Sequence, residues 1–330
     1  EVSTRKAIEL YPDYAEAHSN LGSILSDLGA LQKAEISTRK AIKINPNFAE
    51  AHSNLGGILM DLGKLDEAEV SARRAIELNP DFGMAYFYLS CLKYSKTNNK
   101  IWIDKLFSES ILINKSQKDQ INIYFARANI LHKRGSFKES SRYLKLANKL
   151  KLFLYPSYPK DLLKNSQFLL YASYEKDISK NEILNSPLNI FIVGMPRSGS
   201  TLVESILSMN KNVADLGEVN ILEKSFHKWK NDTSKYTLNQ LYLKEIKDQR
   251  KKLNITTNKW LYNYQYVGII SNYITNAKII HCYRSPLDNI LSIYRTNFAK
   301  GNKYASSLVD CTKVYIDQEE IMTEYKNRFR

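Results

Sequence analysis

The sequence predicts a two-part chain, all-α in its first half and α/β in its second, with a parallel sheet in the α/β part. Three observations carry that expectation. A 34-residue repeat runs through about the first hundred residues. A strand candidate at 189–194 leads through a glycine-bearing loop into a helix. A second strand candidate at 277–283 leads straight into a proline-started helix. Alternating strands and helices imply a parallel sheet with ligand at the C-terminal edge of its strands.

The repeat is read first. Pro12, Pro46 and Pro80 are 34 residues apart, as are Asn20-Leu21-Gly22 and Asn54-Leu55-Gly56; Gly29 matches Gly63, Ala34 matches Ala68, and Ala41 matches Ala75. Small residues at Gly22, Ala34 and Ala41 let two helices approach closely. Gly29 makes the turn between them, and Pro46 stops one unit before the next begins. Period and residue pattern together resemble the tetratricopeptide repeat. Residues 81–112 read as a decayed unit. Residues 124–150 recover the pattern through Ala128, Gly135, Ser140 and Ala147. His18 and His52 occupy equivalent repeat positions and read as repeat residues rather than metal ligands. Such units stack, because one alone cannot bury its apolar face, and arrays of them present a surface for a protein or peptide partner.

Residues 151–187 read as a connector, punctuated by Pro156, Pro159 and Pro187, with a helix expected over 161–173. The α/β part is assigned to 188–330. Asn189-Ile-Phe-Ile-Val-Gly194 is a β-branched and aromatic run typical of a buried strand. The helix after it starts at Thr201, and the second one is expected over 287–297, after Pro286. The stretch from Thr296 to the end reads as helical and basic.

The chain of 330 residues carries a net charge of +14 and 43% hydrophobic residues. That balance suits anionic partners. An AT-rich coding sequence rich in Lys, Asn, Ile and Tyr would produce it too, so charge alone assigns none. The cysteines, Cys91, Cys282 and Cys311, are far apart, which argues against a structural zinc site and fits a reducing compartment. No apolar run approaches the roughly 20 residues of a membrane span. With no leader visible the expected location is cytoplasmic, although the chain opens in mid-pattern at Glu1.

The chemistry is concentrated after the first strand. A nucleoside-triphosphate P-loop reads GxxxxGK[ST]. Here Gly194 and Gly199 keep that spacing, followed by Ser200 and Thr201. Ser200 replaces the lysine that would reach the β- and γ-phosphates, and the cation moves inside the loop as Arg197. A P-loop-type turn of this kind suits one terminal phosphate, held bidentately by Arg and by hydroxyls and loop amides.

The sequence Pro196-Arg-Ser-Gly-Ser-Thr201 resembles the 5′-phosphosulfate-binding loop of the sulfotransferase family, usually PRSGTT in its protein-tyrosine and tetratricopeptide-linked branches. Three later segments resemble it in order and spacing. Leu216-Gly217-Glu218 is similar to a glycine–glutamate element whose Glu is the catalytic base of the tyrosylprotein branch. Asn258-Lys259-Trp-Leu-Tyr-Asn263 is similar to an Asp-Lys-x-Pro-x-Asn segment, with Asn258 for Asp and Leu261 for Pro. Arg284, with Ser292 eight residues later, is similar to the 3′-phosphate-binding pair.

The resemblance implies a sulfotransferase using 3′-phosphoadenosine-5′-phosphosulfate as co-substrate, without metal, with Glu218 and Lys259 catalytic. Donor binding would fall to Arg197, Ser198, Gly199, Ser200, Thr201, Arg284 and Ser292. It implies a hydroxyl acceptor such as a peptide tyrosine, a protein or peptide partner on the repeats, and no nucleic acid partner. The family continues with a further segment, so the domain is expected to be incomplete at its C-terminus. Two other readings stay open: an interaction scaffold carrying an inactive transferase-like domain, and a P-loop kinase. His281, beside the second strand, reads as a core histidine.

Overall fold

A computed structural model describes residues 1–92, 100–174, 186–231, 236–250, 253–298 and 301–329. It divides into two compact units, Glu1–Pro156 and Ser157–Arg330. Part of the expected connector, 175–185, lies outside the described residues.

The first unit is helical: α1 (Val2–Leu10), α2 (Ala15–Asp27), α3 (Leu31–Ile44), α4 (Ala49–Asp61), α5 (Leu65–Leu78), α6 (Gly83–Cys91), α7 (Lys100–Phe107), α8 (Gln117–Lys133) and α9 (Phe137–Leu154). Pairs α2/α3, α4/α5 and α8/α9 share one turn. In each a glycine takes the left-handed conformation (Gly29 at φ 75°, Gly63 at 75°, Gly135 at 79°). The next amide then reaches back to the last helical turn, as in Ala30 N–H to the Leu25 carbonyl at 2.8 Å, which closes a helix C-terminus.

The helices touch through small residues. A methyl group on Gly22 would lie 2.0 Å from Thr38 Oγ1 and 3.2 Å from the Ala34 carbonyl oxygen. A second device recurs at the repeat interval. His18 Nε2 lies 2.9 Å from the Pro12 carbonyl oxygen, His52 Nε2 lies 3.0 Å from that of Pro46, and Tyr86 Oη donates to that of Pro80 at 2.8 Å. Each ring latches the first helix of a unit onto the proline turn before it.

The second unit begins with α10 (Lys160–Ala172), close to the expected helix. It continues β1 (Leu188–Gly194), α11 (Ser200–Ser208), β2 (Val213–Asp215), α12 (Ile221–Asn231), α13 (Leu238–Arg250), β3 (Ile255–Asn258), α14 (Val267–Tyr273), β4 (Ala277–Cys282), α15 (Pro286–Tyr294) and α16 (Leu308–Arg328). The strands form one parallel sheet in the order β2-β3-β1-β4. Covered on both faces, β1 buries Phe191, Ile192 and Val193 completely, which explains its near-continuous apolar run. The main core joins Phe191 and Val193 to Leu222, Phe226, Tyr242 and Tyr325. A smaller core seats Met195 of the glycine loop among Ile293, Cys311 and Val314.

Two helix expectations shift. The helix after Pro286 stops at Tyr294 rather than 297. The C-terminal helix starts at Leu308 rather than near Thr296, because Gly301 (φ 67°) and Asn302 (φ 41°) are left-handed and break the run. Ser307 then caps it, accepting from the Asp310 amide at 3.2 Å. Among the described residues, no helix is long and apolar enough to cross a membrane.

Candidate functional site

The site lies where β1 ends. Gly194 pairs with Cys282 across β1 and β4. A Cβ on Gly194 would stand 2.2 Å from the Cys282 carbonyl oxygen, at a φ of 140°, so only glycine lets the chain leave the sheet here. The loop then takes left-handed turns at Arg197 (φ 68°) and Gly199 (φ 97°). Backbone of that hand flanking a single residue makes a concavity of amides that suits an anion. Gly199 is the N-cap of α11, whose first-turn amides have no partner within the helix. A left-handed arginine is strained, yet the loop is braced. Met195 is buried, and Asn289 of α15 donates Nδ2–H to the Pro196 carbonyl at 3.0 Å.

The predicted binding residues are distributed around this loop. Arg197 is exposed, and its Nε–H points to Ser292 Oγ at 3.4 Å, so two residues 95 positions apart meet. Among the described residues Ser198 Oγ is buried without a hydrogen-bond partner, and Ser200 is buried at the first position of α11. Arg284 is exposed two residues past Cys282. Its carbonyl accepts from Tyr315 Oη at 2.9 Å, and no partner for its side chain is found among the described residues. A buried, unsatisfied hydroxyl, an exposed arginine and free helix-start amides fit a terminal phosphate.

Lys259 is the centre of the other half. Its side chain is only 6% exposed. Nζ donates to Thr201 Oγ1 at 2.9 Å and lies 3.0 Å from Glu218 Oε1 and 3.4 Å from Glu204 Oε2. Backbone geometry places Glu218 there: Leu216 N–H donates to the Thr257 carbonyl at 3.0 Å, and Lys259 N–H donates to the Gly217 carbonyl at 3.1 Å. Gly217 itself is left-handed at φ 67°. Asn258, standing where the resembling segment has Asp, keeps the acceptor role. Its Oδ1 accepts from Trp260 N at 3.2 Å and from Asn263 Nδ2 at 3.0 Å.

Glu204 was not among the residues expected from sequence. It is 5% exposed, on α11, three residues after Thr201. Burial, then the nearby Asp215 charge, push its carboxyl up to about 7, against the pull of Lys259. Sequence pattern gives no signal for it, because α11 buries its polar positions rather than its apolar ones. Ser200 and Glu204 form the buried side of α11, whereas Leu202 and Ile206 are exposed. His281 is half-satisfied: Nε2 meets Gln318 Nε2 at 2.8 Å, Nδ1 is buried with no partner among the described residues, and burial lowers its pKa to about 4. Among the described residues, no cluster of three His, Cys, Asp or Glu side chains is arranged to hold a metal ion.

Comparison with known proteins agrees with this layout. Residues 187–330 match the profile of the sulfotransferase family. Residues 4–36 and 49–82 match tetratricopeptide-repeat profiles. An uncharacterized protein of Aquifex aeolicus (strain VF5) is 32% identical over 130 residues, which cover 33% of this chain and 17% of that one. The chain thus spans about a sixth of the length of that relative.

Proposed function

This chain joins tetratricopeptide repeats to a sulfotransferase-family domain, and from that premise we propose that the domain transfers a sulfuryl group from 3′-phosphoadenosine-5′-phosphosulfate to a hydroxyl, with a peptide tyrosine as the favoured acceptor. One observation carries the reading. The turn after β1, the start of α11, the Glu218 loop and Lys259 converge at the C-terminal edge of a parallel sheet, with Ser292 of α15 beside Arg197.

When bound, the donor supplies an activated sulfate on a phosphate leaving group. Arg197, the α11 amides and the Thr201 hydroxyl would hold the 5′-phosphate. Thr201 is oriented for this, because its oxygen accepts from Lys259 and its own proton is left to donate. Arg284 and Ser292 would hold the 3′-phosphate. Lys259 would neutralise charge growing on the leaving oxygen, and Glu218, 60% exposed, would take the acceptor proton. Ser200 in the position of the P-loop lysine argues against a nucleoside triphosphate. The repeats would recruit the acceptor peptide.

Calorimetry with 3′,5′-adenosine bisphosphate is the test. The protein should bind it, and Arg197→Ala should weaken binding by about tenfold or more. No binding by the unmodified chain, or equal binding by the variant, would reject the reading.

A further inference from the structure

The mechanism above gives Glu204 no task, yet a carboxylate is not buried beside a reacting lysine without consequence. An ammonium has three N–H donors. Lys259 faces three acceptors: Thr201 Oγ1 at 2.9 Å, Glu218 Oε1 at 3.0 Å and Glu204 Oε2 at 3.4 Å. Two of them come from one turn of α11. The carboxylates differ sharply in freedom, since the Glu204 side chain is 7% exposed and that of Glu218 is 60% exposed. Only the Glu218 arm can swing away.

We propose that Glu204 is a positioning residue that, with Thr201, keeps hold of Lys259 throughout the reaction, so that the third N–H passes from Glu218 to the donor's leaving oxygen. This inference rests on the donor reading above. In the free protein Glu218 is tied to the lysine. Donor binding offers the lysine a better acceptor and releases Glu218. The acceptor O–H then gives its proton to Glu218, the acceptor oxygen bonds to sulfur, and the bond from sulfur to the phosphate oxygen breaks. Its electron pair stays on that phosphate oxygen, against Lys259. Once Glu218 is protonated it no longer balances the lysine. Glu204 is then the protein carboxylate that still faces Lys259, and it keeps the buried cation paired when the leaving phosphate departs.

The groups facing Glu204 are consistent with this role. Lys259 follows β3, Thr257 Oγ1 on β3 lies 3.5 Å from Glu204 Oε1, and Asp215 ends β2. Asp215 accepts from the Gly217 amide through Oδ1 at 2.7 Å and also lies within hydrogen-bonding reach of the Glu204 carboxyl. Among these groups Lys259 is the cation that faces Glu204.

Two readouts on the full chain test the proposal, and neither needs an acceptor. The first is side-chain nitrogen NMR of the lysine ammonium groups. Lys259 should give a slowly exchanging ammonium signal that survives in Glu218→Gln, is lost in Glu204→Gln and returns in part in Glu204→Asp. The second is calorimetry with 3′,5′-adenosine bisphosphate, whose 5′-phosphate carries the leaving oxygen. Glu204→Gln should weaken binding about tenfold, whereas Glu218→Gln, which removes the competitor for the third N–H, should bind as tightly as the parent or tighter. An unchanged Lys259 signal in Glu204→Gln, or weaker binding by Glu218→Gln, would overturn the proposal. If the parent chain does not bind the bisphosphate, the donor reading fails, while the NMR signal still decides whether Glu204 holds Lys259.

Discussion

Glu204 holds a charge where α11 and the sheet leave almost no water, and that has a cost visible in stability. Its carboxyl is raised from the ordinary 4.5 to about 7, chiefly by burial. A folded-state value above the unfolded one means that the group favours folding while protonated. That contribution is complete below about pH 4.5 and is lost as pH rises through about 7. The shift corresponds to ~3 kcal/mol. Urea melts at pH 5 and at about pH 7.5 should therefore show the parent chain losing stability relative to Glu204→Gln by up to that amount; parallel profiles would contradict it. At this scale the left-handed turn after β1 was legible, because Gly194, Arg197, Gly199 and Thr201 sit together in sequence. So was the Lys259–Glu218 pair, though only through resemblance. Glu204 was not. Nothing local distinguishes it from a solvated helix carboxylate, and its partner lies 55 residues farther on.

At the scale of elements, α11 explains that blind spot. A helix on a sheet ordinarily turns its apolar positions inward. This one buries Ser200 and Glu204 and exposes Leu202 and Ile206. Strands β1 and β4 could be read directly from their apolar runs, but β2 and β3 could not. Only three residues form β2, and β3 is polar. Thr256, Thr257 and Asn258 are buried there because sheet pairing and side-chain bonds satisfy them, as Thr256 Oγ1 donates to Asn189 Oδ1 at 3.0 Å. The join of β1 to its loop is the least tolerant point. Gly194→Ala should destabilise the second unit by at least ~2 kcal/mol, since a Cβ would meet backbone at 2.2 Å in a conformation that side chains avoid. A denaturant midpoint unchanged from the parent would refute that.

At the scale of the whole molecule, two compact units suggest two separable folds. Every residue of the candidate site lies in the second. A fragment of residues 157–330 should therefore bind 3′,5′-adenosine bisphosphate within about threefold of the full chain by calorimetry. A fragment that is folded by circular dichroism yet does not bind would show that the site needs the repeats. The two-part plan was the most legible feature of all, because a 34-residue period survives decay at individual positions. The third latch shows how: the ring at position 86 is Tyr rather than His, so an identity comparison passes over it, while the bond to the proline carbonyl is kept.

That latch also bears on how such an array changes over generations. Proline turn, ring, left-handed glycine and small-residue contacts all close within 34 residues, with little reaching beyond the next unit. A stretch of gene of that length, copied or lost in frame anywhere in the array, adds or removes a complete cassette with its fastenings included. Array length, and with it the reach of the surface available to a partner, can then vary stepwise among descendants while the chemistry encoded downstream stays untouched.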